Sequence, residues 1–280
     1  MIPSGQMRRG FTLVQLLVSL AIFAFLTGIA LPAIQKNRQA ADRMKCSNNL
    51  KEIMIAVHNC ADTNGANLPP LAGHYPKPNL EKDNGYGTVL FHLLPYIEQD
   101  DLYKKSLDDD TKVYSVWNSG TYAARIKTYV CPADNSAKDG LFEGWLATTS
   151  YAASFEVFGD AEAEARLQAI HRFPAFITDG TSNTIFFAER YQICNGEPNG
   201  WGYSGDSIRA PGFNLFDFTY FQVTPSDKEC IAGTPQSAHE RGMNVGMGDG
   251  SSRFVSEKLS WSTWRAACTP NAGDLLGADW

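Results

Sequence analysis

The residues with the clearest chemistry in this 280-residue chain are its cysteines: Cys46, Cys60, Cys131, Cys194, Cys230 and Cys268. An even set of cysteines favours disulfide formation in an oxidising compartment outside the cytoplasm. If Cys46 and Cys60 lie on one straight helix, they are about 21 Å apart, whereas a disulfide requires Cα atoms within about 7 Å of each other. These two cysteines therefore cannot pair together. Each either bonds to one of the four later cysteines or stays a buried thiol.

Oxygen-bearing side chains alternate at Asp179, Thr181 and Asn183, as ligands do in a calcium-binding loop. The EF-hand form is excluded because its sixth position would be Thr184, where that loop requires glycine. We expect instead a turn around Asp179, Gly180 and Asn183, closed by hydrogen bonds from side chains to the backbone. Calcium binding at this turn is the alternative, and no other cofactor is predicted.

His239 is followed by nine residues and then by Asp249-Gly250. Asp-Gly between residues 243–248 and 251–255 predicts a β-hairpin closed by a two-residue type I′ turn. Asp249 and Gly250 are then turn residues, and His239 packs or forms hydrogen bonds within the fold. The neighbouring sequence supplies neither a nucleophile nor a second imidazole, so we predict no catalytic residue, no metal ligand and no enzymatic activity.

A long helix must position the first two cysteines. Cys46, Leu50, Ile53, Val57 and Cys60 recur at spacings of four, three, four and three, which is an apolar helical stripe. Asn64-Gly65 ends this pattern, and residues 35–63 should therefore form a helix packed on a globular domain.

The same helix should begin in an apolar run. Residues 11–34 carry no charge and would extend about 36 Å as a helix, which is enough to cross a bilayer. A conventional signal peptide cut before Leu31, or an uncleaved anchor, would also account for such a run. Five basic residues follow it and only Arg8 and Arg9 precede it, an order that by itself would favour the reverse orientation.

Composition bounds the remaining chain. Residues 64–280 are long enough to bury a full core, with residues 127–131 and 150–158 read as strands and residues 89–105 as two short helices around Pro95. The net charge of −6 offers no electrostatic surface for nucleic acid. The aromatic-rich residues 191–221 would form either core or, if exposed, a glycan or partner surface.

The start of the chain resembles a known processing site. Arg8-Arg9-Gly10 followed by Phe11-Thr12-Leu13-Val14 is similar to the prepilin cleavage and methylation motif of type IV pilins and type II secretion pseudopilins. The resemblance implies that a prepilin peptidase cuts between Gly10 and Phe11 and methylates Phe11. It also implies that Pro32 is the proline that kinks pilin helices.

One position departs from that motif. Pilins normally have glutamate at the fifth mature position, where it is thought to pair with the charged amino terminus of a neighbouring subunit, and this chain has Gln15. Glutamine accepts a hydrogen bond from an ammonium group but cannot neutralise its charge. The chain would then be a tip-type minor pseudopilin or would use the prepilin route only for processing and anchoring.

A second resemblance covers most of the chain. Asp179-Gly180-Thr181-Ser182-Asn183-Thr184 feeding an apolar strand that ends at Glu189, together with His239 and Asp249-Gly250, resembles the bacterial family defined by a prepilin-type N-terminus and a C-terminal H-x9-DG motif. That family has no established activity, though it has also been labelled solute-binding-protein-like.

Together these observations predict an α+β, pilin-like fold with a long N-terminal helix packed on an antiparallel sheet with irregular insertions. We divide the chain into a leader (1–10), a membrane and assembly helix (11–34), its extramembrane half (35–63) and a globular domain (64–280). We predict a single-pass protein of the bacterial inner membrane, with its globular domain outside the cytoplasm, that acts as a pseudopilin-like or minor-pilin subunit. The predicted partners are the membrane, prepilin peptidase and other pilin-class subunits. The alternative is an anchored module that binds a solute or a glycan.

Overall fold

A computed structural model of the protein describes residues 13–79, 81–82 and 84–280, and over residues 28–33 it describes the backbone alone. The chain divides into two compact units, Met1–Ala41 and Asp42–Trp280. The described part of the first unit is helical, and the second unit combines short helices with mostly antiparallel strands. The predicted α+β class is confirmed.

The α-helices in the described residues are α1 Leu13–Thr63, α2 Val89–His92, α3 Asp100–Lys105, α4 Phe155–Phe158 and α5 Trp261–Cys268, and the 3-10 helices are Leu94–Tyr96, Asn118–Ala123 and Lys127–Tyr129. The strands are β1 Ala72–Tyr75, β2 Gly85–Thr88, β3 Tyr114–Ser115, β4 Leu141–Phe142, β5 Leu146–Ala147, β6 Tyr151–Ser154, β7 Ile185–Glu189, β8 Ile193–Cys194, β9 Glu197–Pro198, β10 Gly212–Phe213, β11 Gln222–Val223, β12 Gln236–Ser237, β13 Gly242–Met247 and β14 Ser252–Ser256.

Helix α1 buries the predicted stripe in the second unit. Its buried side chains are Cys46, Leu50, Ile53, Met54, Val57 and Cys60, each at most 1% exposed. Lys51 and Glu52, which lie between them in sequence, are exposed. The helix ends in a Schellman motif, in which the Ala66 amide donates to the Ala61 carbonyl across Gly65 at φ +70°.

The central sheet has five strands in the order β10-β6-β7-β13-β14. The pairs β6–β7, β7–β13 and β13–β14 are antiparallel, whereas β10 pairs parallel to β6. Every residue of β7 and β13 is buried, because helices cover the sheet on both faces. On one face, the α1 stripe contributes to a core that includes Phe186 and Phe187.

The opposite face of the sheet packs against α5. Ser260 caps this helix by accepting a hydrogen bond from the Thr263 amide. Trp264 is fully buried there, with its ring centroid 4.8 Å from that of Phe221, and its indole Nε1 donates to the Thr219 carbonyl at 2.8 Å. The sheet therefore separates two apolar clusters, one under α1 and one under α5.

One predicted strand is replaced by another structure. Residues 127–131 form the 3-10 helix Lys127–Tyr129 and the chain that follows it. The Tyr129 carbonyl accepts hydrogen bonds from the Ser150 amide and the Thr149 hydroxyl. This carbonyl is therefore hydrogen-bonded although its segment is not paired as a strand. The Tyr129 hydroxyl donates to the Leu90 carbonyl, so the aromatic ring anchors this turn in the core.

The membrane prediction requires a correction. Within the residues that the structure describes, no helix is both long and apolar enough to cross a bilayer. A span requires about 20 consecutive, predominantly apolar residues. The predicted single-pass anchor over residues 11–34 in the bacterial inner membrane is therefore wrong.

Several predicted processing and assembly residues fall at the start of the chain. Gly10 and Phe11 lie outside the described residues, as does the side chain of Pro32. Gln15 is described, and it lies in α1 with its side chain exposed.

The packing of α1 generates a matched pair of substitutions. Ile53 is fully buried, whereas Ile55, two residues along, is 55% exposed. We expect Ile53→Ala to lower the free energy of unfolding by about 2–5 kcal/mol, because it leaves a cavity in the core. Ile55→Ala should change it by less than about 0.5 kcal/mol. Guanidinium denaturation followed by circular dichroism measures both, and equal losses would show that this stripe does not form the interface.

Candidate functional site

The two segments that resemble the H-x9-DG family meet at a buried side-chain pair. Glu189 is the last residue of β7, and His239 lies between β12 and β13. His239 Nε2 is 3.1 Å from Glu189 Oε1, and their side chains are only 4% and 3% exposed. A carboxylate oxygen can only accept, so this contact is attractive where Nε2 carries a proton.

Further donors surround the Glu189 carboxylate. Asn244 donates its Nδ2 to Oε1 at 2.8 Å and its backbone amide to Oε2 at 3.1 Å. The Ser237 hydroxyl donates to Oε2 at 2.8 Å and accepts a hydrogen bond from the His239 amide at 3.1 Å. A buried charge requires such partners, and these bonds hold the carboxylate in one orientation between β7, β12 and β13.

A disulfide lies directly against this pair. Cys46 on α1 is bonded to Cys131, which follows the 3-10 helix Lys127–Tyr129, and their Cα atoms are 5.0 Å apart. The Cys131 sulfur is 3.5 Å from His239 Nε2. The two sulfurs, this ring nitrogen and a carboxylate oxygen of Glu189 all lie within 4.8 Å of one another, and all four residues are buried. This is the candidate functional site.

The remaining cysteines divide into a second disulfide and two thiols. Cys194 in β8 is bonded to Cys230, with Cα atoms 5.6 Å apart. Cys60 and Cys268 are free and buried. Burial raises the pKa of the Cys60 thiol to about 12 and also raises the pKa of Cys268, so both stay protonated at neutral pH. Of the two fates open to the helix cysteines, Cys46 bonds to a later cysteine and Cys60 stays a thiol.

Charged residues next to the site were not anticipated from the sequence. Asp134 is buried and accepts hydrogen bonds from Ser136, from the Ser150 hydroxyl at 2.8 Å and from the Gln192 amide at 3.0 Å. Burial raises the pKa of the Asp134 carboxyl. Arg190 is also buried, which lowers its pKa to about 9, and its guanidinium donates to backbone carbonyls of residues 208–212. These side chains and Cys131 line one narrow crevice.

The Asp249-Gly250 hairpin forms, but with a different turn. The Gly250 amide donates to the Met247 carbonyl at 3.0 Å, and the Met247 amide donates to the Ser251 carbonyl at 2.8 Å. Only Gly250 in this three-residue loop has a positive φ, +90°. The loop is therefore a type I turn followed by a G1 bulge, and the predicted type I′ turn is wrong. The Asp249 carboxylate caps the loop by accepting from the Ser251 amide at 2.9 Å.

The predicted turn at Asp179 contacts the end of the chain. Asn183 donates its Nδ2 to the Asp179 carbonyl at 3.0 Å, and Gly180 has φ +99°. Both Asp179 carboxylate oxygens accept from the Gly273 amide, at 3.0 and 3.2 Å. The calcium hypothesis for Asp179, Thr181 and Asn183 stays a prediction.

Sequence reasoning treated Glu189 only as the end of a strand. The sequence does indicate that Glu189 is unusual, because it directly follows the apolar residues Ile185–Ala188. If that strand is buried on both faces, the charge of Glu189 is buried as well. Such a carboxylate requires donors, and His239 and Asn244 were available in the second motif. The partner of Cys46 had no comparable signal.

Comparison with known proteins gives one finding. The model of a family described as SBP_bac_10, protein of unknown function (DUF1559), matches residues 35–260, which include all four residues of the candidate site. The match begins after the prepilin-like residues 8–14. Neither a curated protein nor a solved structure matches the chain.

The buried pair generates a double-mutant test. We expect Glu189→Gln and His239→Gln each to lower the free energy of unfolding by about 3–5 kcal/mol, because each leaves a buried polar partner unpaired. The double variant should cost less than the sum of the two by about 1–3 kcal/mol. Denaturation midpoints of the four proteins measure this coupling.

The control is the more exposed pair of Glu197 and Arg209, whose side chains are 34% and 38% exposed. Its coupling should be below about 1 kcal/mol. If the costs of Glu189→Gln and His239→Gln simply add, the pair does not act as a unit.

Proposed function

The chain belongs to the DUF1559 family of proteins of unknown function, and we propose that it is a non-enzymatic cell-envelope protein that acts as a filament-associated subunit of the pilin or pseudopilin kind. The observation that carries the proposal is the apolar first part of α1. The disulfides and the prepilin-like start of the chain support it.

Large hydrophobic side chains cover the first part of α1 and are more than half exposed: Leu13, Val14, Leu16, Leu17, Val18, Leu20, Ile22, Phe23, Phe25 and Leu26. At 3.6 residues per turn, such closely spaced positions occupy every side of the helix. A helix that is apolar all round is normally buried on all sides. Full burial of a side chain of this kind stabilises by about 1.5–3 kcal/mol, and more than half of each of these surfaces is still in water. The segment therefore requires apolar partners, and we propose the equivalent helices of pilin-class subunits.

The disulfides agree with a place in the cell envelope. Cys46–Cys131 and Cys194–Cys230 close loops that span 85 and 36 residues in sequence. Disulfides persist in oxidising compartments and are rare in the cytoplasm. In the chain-entropy model, loops of this size contribute about 3–5 kcal/mol each to stability.

Processing by a prepilin peptidase between Gly10 and Phe11 is part of the proposal. It would place Phe11 at the amino terminus and Gln15 at the fifth position. Because an amide cannot neutralise a neighbouring ammonium group, a minor position fits the chain better than that of a repeating subunit. A tip subunit has no subunit above it to pair with.

A benzophenone amino acid placed at Phe23, which is 67% exposed, tests this assembly in cells. After irradiation, we expect products cross-linked to the N-terminal helices of a second copy or of other prepilin-class proteins. The reason is that an all-round apolar helix must be buried, and in the proposed assembly similar helices bury it. Mass spectrometry of the cross-linked peptides identifies the partner.

The control places the same amino acid at Leu275, which is 92% exposed and lies near the other end of the chain. It should not capture those helices. The proposal fails if both positions capture the same set of proteins, or if Phe23 captures no prepilin-class helix.

A cluster of aromatic rings favours a second candidate, a module that binds a solute or a glycan. Trp117 and Trp145 are each 38% exposed, and Tyr122 lies between them with ring centroids 5.4 and 5.9 Å away. Tyr203 adds a fourth ring, 6.2 Å from Trp117. Exposed aromatic faces can stack on the apolar faces of sugar rings. The aromatic-rich residues 191–221 divide between core and surface: Trp201 and Phe213 are fully buried, whereas Phe216 is 57% exposed.

Oligosaccharide arrays test the second candidate. If it is right, the chain binds a glycan, and Trp117→Ala or Trp145→Ala weakens that binding by about tenfold, as loss of an aromatic anchor does. Trp261→Ala is the control, because Trp261 is similarly exposed at 44% but lies on α5. The candidate is excluded if no glycan binds or if the control weakens binding equally.

A further inference from the structure

The disulfide and the buried pair bring together the donor set of a tetrahedral metal site. Its donors are the sulfurs of Cys46 and Cys131, Nε2 of His239 and a carboxylate oxygen of Glu189. They come from α1, the chain after the Lys127–Tyr129 helix, the β12–β13 connection and the end of β7. Two sulfurs, one imidazole and one carboxylate are all ligand types that zinc accepts, and four is its usual number of ligands.

Two of the distances between these donors are close to those of a tetrahedral site, and all four donors lie within 4.8 Å of one another. Zinc–ligand bonds of about 2.0–2.3 Å place tetrahedral ligand atoms about 3.3–3.8 Å apart. His239 Nε2 is 3.5 Å from the Cys131 sulfur and 3.1 Å from Glu189 Oε1. The two sulfurs are too close for a metal site only because they are bonded to each other. Reduction would remove that obstacle.

Neighbouring groups already orient the ligands. Asn244 and Ser237 hold the Glu189 carboxylate, and the Ser237 hydroxyl also accepts from the His239 amide. Hydrogen bonds of this kind orient metal ligands, and their loss typically lowers metal affinity 10–100-fold.

We propose that the chain binds one thiophilic divalent ion, such as Zn²⁺, at Cys46, Cys131, His239 and Glu189 once the Cys46–Cys131 disulfide is reduced. A dithiol supplies two electrons and two protons and itself becomes a disulfide, which leaves Cys46 and Cys131 as thiols. Each thiol then loses its proton as it binds the ion. His239 binds through the lone pair of Nε2, so its single ring proton moves to Nδ1.

The charges of this exchange are favourable for a buried site. The two thiolates neutralise the two charges of the ion. With a neutral His239, the site keeps the single negative charge of Glu189 that it has in the disulfide form. The disulfide and the metal are therefore alternative links between the same elements, and α1 stays attached to the sheet under oxidising and reducing conditions alike.

Cobalt titration of the full chain tests the proposal. The protein is reduced with a phosphine, which breaks disulfides without providing a thiol ligand, and Co²⁺ is added as a spectroscopic probe. We expect one equivalent to bind with a thiolate-to-cobalt charge-transfer band, and Zn²⁺ to displace it. The oxidised chain should show no such band. His239→Gln should lower the affinity of the reduced chain by at least about tenfold.

The other disulfide provides the control. Cys194→Ser combined with Cys230→Ser removes its two thiols and should leave cobalt binding unchanged. The proposal is overturned if the reduced parent binds no cobalt, if this control abolishes binding, or if His239→Gln binds as tightly as the parent.

Near-UV circular dichroism covers the case in which reduction unfolds the chain. Recovery of the native signal on addition of Zn²⁺ to the parent, but not to His239→Gln, would support the site. Failure of Zn²⁺ to restore the signal of the parent would overturn it.

Discussion

The buried carboxylate of Glu189 is the constraint on which the candidate site depends. A charge that is 3% exposed is tolerated only when polar partners surround it. Asn244 and Ser237 donate hydrogen bonds to this carboxylate, and His239 Nε2 lies 3.1 Å from it. Because they lie on β12, on β13 and between them, the carboxylate fixes how the second half of the chain closes onto β7. His239 then lies beside Cys131, and the Cys46–Cys131 bond extends the same network to α1.

The hydrophobic effect acts on α1 in two ways. Between Asp42 and Thr63 the helix is amphipathic, and its apolar stripe is satisfied by the sheet of its own unit. Between Leu13 and Leu26 it has no polar face, and its side chains are exposed. An amphipathic helix completes a fold, whereas an entirely apolar one requires partners on all sides. This difference in sequence pattern supports an assembly role for the first segment and a structural role for the second.

Local signals made part of the structure predictable. The spacing of Cys46 to Cys60 predicted the buried face of α1, and Asn64-Gly65 its end, because both depend on neighbours within a few residues. The Asp249-Gly250 hairpin was predictable, but its turn was not. Whether the loop between β13 and β14 has two or three residues depends on how these strands twist and pair. The Glu189–His239 contact joins residues 50 positions apart, and the Cys46–Cys131 bond residues 85 apart. Apolar periodicity carries no information about such pairings.

Most of the segment between His239 and Asp249 is β13, which packs along α1. His239, before β13, lies near the Cys46–Cys131 bond, and Gly248, after it, accepts a hydrogen bond from His58 Nε2 at 3.0 Å. Cys46 and His58 are about 18 Å apart along a helix, and six steps of strand from Gly242 cover about 20 Å. Midway, a Cβ on Gly246 would lie 3.0 Å from Met54 Cγ, so glycine permits close approach of strand and helix. A residue inserted within β13 would therefore displace one of the two end contacts.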